Sequence, residues 1–332
     1  MGDEIISPLG SIGSCLACGS SLVGSSPYLT TNYKSTSLFE DLEIKYCRDC
    51  GFGWSWPECD ATQLNEFYCH HYRWTAADFQ KLIEPVVINR RAVAQLLLAI
   101  QHTDFRTGDM MVDFGPGGGA SFSAARQMLE HPELSAVELN VDAAEAYFRL
   151  YGATTHRDVE ALVASGAKPK IILASHSMEH LRLGDLTNFL GRVSALIADG
   201  GAFVAEVPHV DMRLHCEKRR HDDPHLLFFS LDSIRRIFLT AGLDVLFANT
   251  CSTPYDTWWT ASSGNHRQGK PGVMRSILSR LPLESQSSIV RRYHTIRRDK
   301  LSFKSDDFHY GGDRVCLRIV AAKSNNLTAN TS

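Results

Sequence analysis

The sequence has no apolar run of the ~18–20 residues that a membrane-spanning helix needs. It has no basic excess either. The chain holds 34 lysines and arginines against 37 acidic residues, a net charge of −3, so it exerts no overall pull on nucleic acid. Its first residues, MGDEIISPLG, lack both the basic and the apolar stretch of a secretory signal. Ile6 stands where a myristoylation signal on Gly2 would need Ser or Thr. No repeat of fixed period is visible. The one basic cluster, RRYHTIRRDK at 291–300, reads as the solvated face of a helix, and the last residues, SNNLTANTS, as a disordered tail. These absences set the expectation of a soluble, cytoplasmic protein whose partner is a small molecule, with nucleic acid and membrane disfavoured.

Cysteine is also scarce, nine in 332 residues, yet four of the nine fall in two short words, CLACG at 15–19 and CRDCG at 47–51. A Cys-x-x-Cys pair makes a tight knuckle, and the glycine after each, Gly19 and Gly51, allows the positive φ such a turn favours. Two knuckles supply four thiolates, the tetrahedral set that zinc takes in closed structural sites. Cys15, Cys18, Cys47 and Cys50 are therefore the expected ligands of a structural Zn²⁺. The stretch between the knuckles is polar and β-branched, with alternation at Leu42, Ile44 and Tyr46. It reads as a small ribbon with too little apolar content for a core of its own, a deficit that metal binding offsets by roughly 10–16 kcal/mol. A redox dithiol is disfavoured because neither pair follows a strand in a βαβ unit.

From residue 76 the pattern changes to helices alternating with short apolar strands. FQKLIEPVVINRRAVAQLLLAI has the spacing of one packed helix, and MMVDF, LSAVE, KIILAS and AFVAEV read as strands separated by amphipathic helices. Ser230 is placed as the N-cap of SIRRIFLTAG, and LDVLFANT and RVCLRIVAA form two late strands. This alternation predicts an α/β fold, a Rossmann-like sheet with helices on both faces and its ligand at the carboxyl ends of the strands. The expected organisation is a zinc ribbon with an aromatic helix at 1–75, a nucleotide-cofactor domain at 76–250, and an insertion or lid, last strand and tail at 251–332.

GPGGGA at 115–120 is a glycine-rich turn directly after a strand. Glycines alone do not separate a dinucleotide from other nucleotide ligands. Their neighbours favour S-adenosylmethionine. Asp113 precedes Gly115, Gly117 and Gly119; Glu138 ends the next strand, where a carboxylate accepts both ribose hydroxyls; Asp158 follows the third strand, where one accepts the adenine amine. Ser175, entering the loop after the fourth strand, completes the expected cofactor contacts.

The runs VDFGPGGGASF, AVELN, RDVEAL, ASHSMEHL, GGAFVAEVPH and HLLFFSLDSIRRIFLTAGL resemble successive motifs of class I S-adenosylmethionine-dependent methyltransferases. With the paired knuckles and the aromatic run FYCHHY, the chain is similar to the subgroup that has an N-terminal zinc segment and methylates carbon atoms of nucleotide-linked keto-sugars. The resemblance implies a parallel sheet with an antiparallel last strand, and His225 as the base. His176 and His180, in SHSMEHL after the fourth strand, are further candidates for catalysis, as is His209. The subgroup usually carries a further C-terminal domain, which 332 residues are expected to be too few to hold; the chain also departs from it in having DDPH at 222–225 where the subgroup has Tyr-x-Glu-His, and in residues 251–313. His176, Glu179, His180 and His225 also resemble in part the magnesium site of some small-RNA 2′-O-methyltransferases, with His176 in place of a glutamate oxygen. An RNA methyltransferase with a zinc module and a non-catalytic zinc-ribbon interaction protein are the competing readings.

Overall fold

The computed structural model describes residues 14–28, 37–72, 74–86, 90–215, 224–252 and 315–324. The insertion expected at 251–313 and the polar tail fall almost wholly outside them.

The amino-terminal strands β1 (Val23–Pro27), β2 (Glu43–Cys47) and β3 (Gly53–Trp56) form an antiparallel ribbon. Both knuckle glycines have positive φ, 71° at Gly19 and 73° at Gly51, as the turns require. Three helices lead out of the ribbon: α1 (Ala61–His70), α2 (Ala76–Lys81) and α3 (Arg90–Gln101). Asp60 caps α1, its carboxylate accepting from the amides of Thr62 and Gln63 at 3.0 Å. The single helix expected over 79–100 is instead two. Pro85 lies in the break; it lacks an amide hydrogen and disfavours helical backbone before it.

The main unit then alternates: β4 (Met110–Phe114), α4 (Ala120–Met128), β5 (Glu133–Val137), α5 (Val141–Tyr151), β6 (Thr154–His156), α6 (Val159–Ala164), β7 (Ile171–Ser175), α7 (Leu183–Leu196) and β8 (Ala202–Pro208). A short helix, α8 (Met212–His215), and a two-residue strand, β9 (Leu227–Phe228), precede α9 (Leu231–Thr240), β10 (Leu243–Ser252) and β11 (Val315–Lys323). The seven strands of the large sheet run in the order β10-β11-β8-β7-β4-β5-β6. Strands β4 to β8 are parallel, and β11 and β10 close the sheet antiparallel. Mixed order of this kind puts the strand carboxyl ends, and the turns leaving β4, β5 and β7, on one edge.

Each sheet face is buried under helices. Val112, Ile172 and Phe203 meet Leu190 of α7 and Phe238 of α9 on one side, while Met111 and Leu173 meet Leu96 of α3 and Phe122 of α4 on the other. The first cluster continues into the ribbon through Phe52, Trp54, Cys15 and Cys47. The ribbon is therefore not the self-contained unit expected at 1–75. Its fourth strand is β9, paired to β3 through Gly53–Phe228 and Trp54–Leu227.

Ser230 caps α9 as expected, accepting from the Ser233 amide at 3.0 Å, and its hydroxyl donates to the Cys50 carbonyl of the second knuckle. One side chain thus ends a ribbon turn and starts a helix of the main unit. Replacing it by alanine removes the cap and leaves a buried carbonyl unmet. Ser230→Ala is expected to lower stability by about 1–2 kcal/mol, read as a lower urea midpoint; an unchanged midpoint would show that the joint carries no load.

Candidate functional site

A cavity of about 470 Å³ opens at the carboxyl ends of β4, β5 and β7. Its floor is Gly115 and Gly117, its sides Glu138, Asp158 and Ser177, and its far wall Tyr68, Tyr72 and His180. Gly115 has φ 68°, and a β-carbon there would lie 3.6 Å from Cβ of Ser177, inside the space. Gly119, expected on the same floor, does not line the cavity. Its hydrogen side faces the ring of Tyr151, so packing against α5 accounts for that glycine.

Glu138 leaves β5 with its Oε1 accepting from the Asn140 amide at 3.0 Å. The Tyr147 hydroxyl donates to the Gly117 carbonyl at 2.6 Å and lies 3.5 Å from Glu138 Oε2, which links the two sides of the turn. Burial raises the Glu138 carboxyl above its ordinary range. Asp158 lines the cavity and also caps α6, its Oδ1 accepting from the Ala161 amide at 2.8 Å. Asp113 lies behind the turn rather than in the cavity. It is buried, takes the Ser121 hydroxyl on Oδ2, and has no hydrogen-bond partner on Oδ1 among the described residues. Ser175 also points elsewhere, accepting from Gln95 Nε2 at 2.8 Å; Ser177 occupies the wall in its place.

The histidines separate into two kinds. His176, at φ 55°, lies between two buried carboxylates, with Nδ1 3.2 Å from Glu179 Oε1 and Nε2 3.3 Å from Glu206 Oε1. Burial opposes its charge, but Cys316, Glu179 and Glu206 together outweigh burial and hold the ring protonated well above the ordinary histidine range. His176 lines the cavity, and its place between two carboxylates suits an ion-pair role more than that of a base. His180 sits in the one-turn 3₁₀ segment Met178–His180, with Tyr68 Oη 2.9 Å from Nδ1 and Tyr72 Oη 3.1 Å from Nε2. Both nitrogens thus face a tyrosine hydroxyl, while one ligand atom each of Glu179, His180 and His225 lie within 4.8 Å of one another. His225 stacks edge-on to His180 at 5.0 Å between ring centroids, and its Nε2 is 4.0 Å from Glu179 Oε1.

His225 is held there from both units. The amide of the next residue, Leu226, donates to the Glu179 carbonyl at 2.8 Å, and its carbonyl accepts from the Ser55 amide of β3 at 2.8 Å. The Tyr28 hydroxyl donates to the carbonyl of His225 itself at 2.9 Å. The ribbon thus holds the backbone on which His225 sits. In its knuckles Cys15 Sγ lies 3.5 Å from Cys50 Sγ and Cys18 Sγ lies 3.5 Å from Cys47 Sγ. These are far longer than a disulfide, and near the ~3.8 Å edge of a tetrahedron built on Zn–S bonds of about 2.3 Å. All four sulfurs lie within 4.8 Å of one another, so the donor set and its shape fit zinc. Burial pushes the Cys18 thiol up to about 11, with Cys47 and Cys50 adding to the rise, so a metal must displace protons there.

A family model described as a methyltransferase domain matches residues 88–247. That is just under half of the chain, and it supports a methyltransferase domain there. Among curated proteins it is similar to the C-methyltransferase NovU of Streptomyces niveus, 29% identical over 191 residues, which are 54% of this chain and 42% of that one. The chain thus matches about two fifths of that relative's length. Solved structures of similar shape include phosphoethanolamine N-methyltransferase 2 of Haemonchus contortus with S-adenosyl-L-methionine, at 13% identity and a TM-score of 0.46, covering 91% of this chain and 69% of that one. A TehB-like methyltransferase of Corynebacterium glutamicum matches at 11% and 0.41, covering 70% and 88%. The methyltransferase cofactor fits the cavity: the Gly115 floor leaves space a side chain would fill, and Glu138 stands at the strand end beside it.

Four residues at or behind this site are not apparent from the sequence alone. Tyr68 and Tyr72 reach the cavity from α1 and the residues after it, in a run whose spacing says aromatic helix but not which ring faces His180. Glu206 and Arg318 lie in apolar strands, where a lone charged letter was the available sign.

Burial drives the Asp113 carboxyl up to about 7 despite the Ser121 hydroxyl. Between about pH 4 and 7 the unfolded chain has released this proton and the folded chain keeps it. Stability therefore falls as pH rises across that window, by up to about 1.4 kcal/mol per pH unit from this group. Asp113→Asn should flatten that slope in urea melts taken from pH 4 to 8; an identical slope in the variant would place the effect elsewhere.

Proposed function

We propose that this protein methylates a small biosynthetic intermediate at carbon, the acceptor being a nucleotide-linked keto-sugar and His225 the base. The observation that carries the reading is the wall of His180, Tyr68 and Tyr72 in the cavity that holds the glycine turn, with the His225 ring standing edge-on to His180. Similarity to a C-methyltransferase supports carbon as the acceptor atom.

S-adenosylmethionine, when bound, supplies an electrophilic methyl group on a positively charged sulfur. Gly115 and Gly117 would let its methionine part approach the backbone, and Glu138 would accept the ribose hydroxyls. Asp158 would face the adenine, and Asp113 would act from behind the turn through Ser121. The proton next to a ketone is acidic enough for an imidazole to remove, and imidazole is half-charged near pH 6.5. His225 would take that proton; His180, held by two tyrosine hydroxyls, would keep the His225 ring edge-on beside it. Aromatic walls keep water away from the transfer.

We also propose that Cys15, Cys18, Cys47 and Cys50 hold one structural zinc. Four thiolates leave no open position, so its role would be to fix the second knuckle, and through it Ser55 and Leu226.

Three outcomes test these assignments. His225→Ala should lower kcat by roughly 10²–10⁴-fold with cofactor affinity unchanged, and His225→Gln should not restore it; near-normal turnover in the glutamine variant would leave the residue a positioning role only. Calorimetry with S-adenosylhomocysteine should give Glu138→Ala an affinity about tenfold weaker or less, from loss of charged hydrogen bonds; equal affinity would remove the ribose assignment. Elemental analysis should find one zinc per chain, lost with stability in Cys47→Ser. Full metal content in that variant would contradict the site.

A further inference from the structure

Glu179 is fully buried, yet neither carboxylate oxygen takes a hydrogen bond of ordinary geometry among the described residues. An ionised carboxylate in that condition needs opposite charge close by. On one side it has His176, 3.2 Å away. Behind His176 stands Glu206, also fully buried, and behind Glu206 stand Arg318 in direct contact and Arg91 with Nε at 3.0 Å. Burial alone would protonate Glu206, but Arg318, His176 and Arg91 keep its carboxyl well below the ordinary range. Charges thus alternate through the interior: arginine, glutamate, imidazolium, glutamate. The series ends at Glu179, and the next group along is His225, with Nε2 4.0 Å from Oε1.

We propose that Glu179 is the positioning residue of the base, its buried carboxylate being the counter-charge for the imidazolium that His225 becomes during methyl transfer. The inference rests on the reading of His225 as base. In that reaction the acceptor's carbon–hydrogen pair becomes the new carbon–methyl bond. The sulfur–methyl pair stays on sulfur, which becomes neutral, and the proton ends on His225. One positive charge disappears from the sulfonium and one appears on the imidazole, so the cavity keeps its charge while the location changes. A fixed carboxylate beside the new location favours the products of that shift, as the carboxylate of a catalytic triad favours its imidazolium. Glu179 also sets the ring's place through the backbone, since its carbonyl accepts from Leu226. Near His225 among the described residues also stand His180, edge-on to it, Tyr68 and Tyr72 around His180, and Tyr28 on the His225 carbonyl.

The test is Glu179→Gln, which keeps the shape and removes the charge, with Glu179→Asp as a second variant that keeps the charge. The histidine ring signals of the S-adenosylhomocysteine complex are titrated by NMR, with His225 assigned by its loss in His225→Gln. An opposite charge at this range moves an imidazole by about one to three pH units. In Glu179→Gln the His225 midpoint should fall by at least about one unit. The acid limb of the kcat profile should fall with it, and the plateau should drop by about tenfold. S-adenosylhomocysteine affinity should not change, and the aspartate variant should recover most of the midpoint. If the His225 midpoint stays in place in the glutamine variant, or if kcat falls equally at every pH, the inference is overturned. The two readings fail separately. Normal turnover in His225→Gln removes the base, whereas an inactive His225→Gln beside an unmoved midpoint in Glu179→Gln removes only the role of Glu179.

Discussion

Much of this molecule depends on a negative charge placed in its middle. Glu206 lies on β8 with no exposure, and Arg318, on the far side of the long insertion, comes back on β11 to meet it. An unpaired carboxylate at that depth would cost several kcal/mol, so the pair ties the last strand of the sheet to the strand beside the site. His176 is caught between Glu206 and Glu179 in a left-handed conformation that an imidazole adopts at some cost. The turn that follows, Met178–His180, inherits its direction from that anchoring. The catalytic wall is therefore set by the ion network beneath it as much as by packing.

The second constraint comes from the ribbon. Its sheet is completed by β9, which follows His225 directly, and Leu226 is bonded to β3 on one side and to Glu179 on the other. Asp211 and Arg213, after β8, close on the second knuckle, with the Arg213 side chain donating to the Asp49 carbonyl at 2.6 Å. A ribbon that carries four clustered cysteine sulfurs thus fixes the backbone around His225. On the proposed reading, a metal on those sulfurs would bear on the chemistry without touching it.

The sheet was legible because each strand announces itself as a short apolar run, and because glycine and carboxylate recur at fixed places after β4 and β5. The knuckles were legible for a similar reason: cysteine is rare elsewhere and its spacing is rigid. Less was visible where a residue's meaning depends on what lies across the fold. Gly119 looked like its neighbours, yet it serves Tyr151. Ser175 and Ser177 differ by one turn of chain, and only the second faces the cavity. His176 and His180 share one motif, but the nearby Glu179 and the distant Glu206 flank the first while two tyrosines engage the second. The division at residue 75 also failed to foresee β9, because a two-residue strand leaves almost no pattern.

The most direct measurement is a crystal structure of the protein with S-adenosylhomocysteine. The homocysteine part should lie over Gly115 and Gly117, the ribose hydroxyls on Glu138, and the sulfur should face the wall of His180 and Tyr72, against which His225 lies. A nucleoside bound with its ribose away from Glu138, or a sulfur directed away from those rings, would contradict the account of this cavity as a methyl-transfer site.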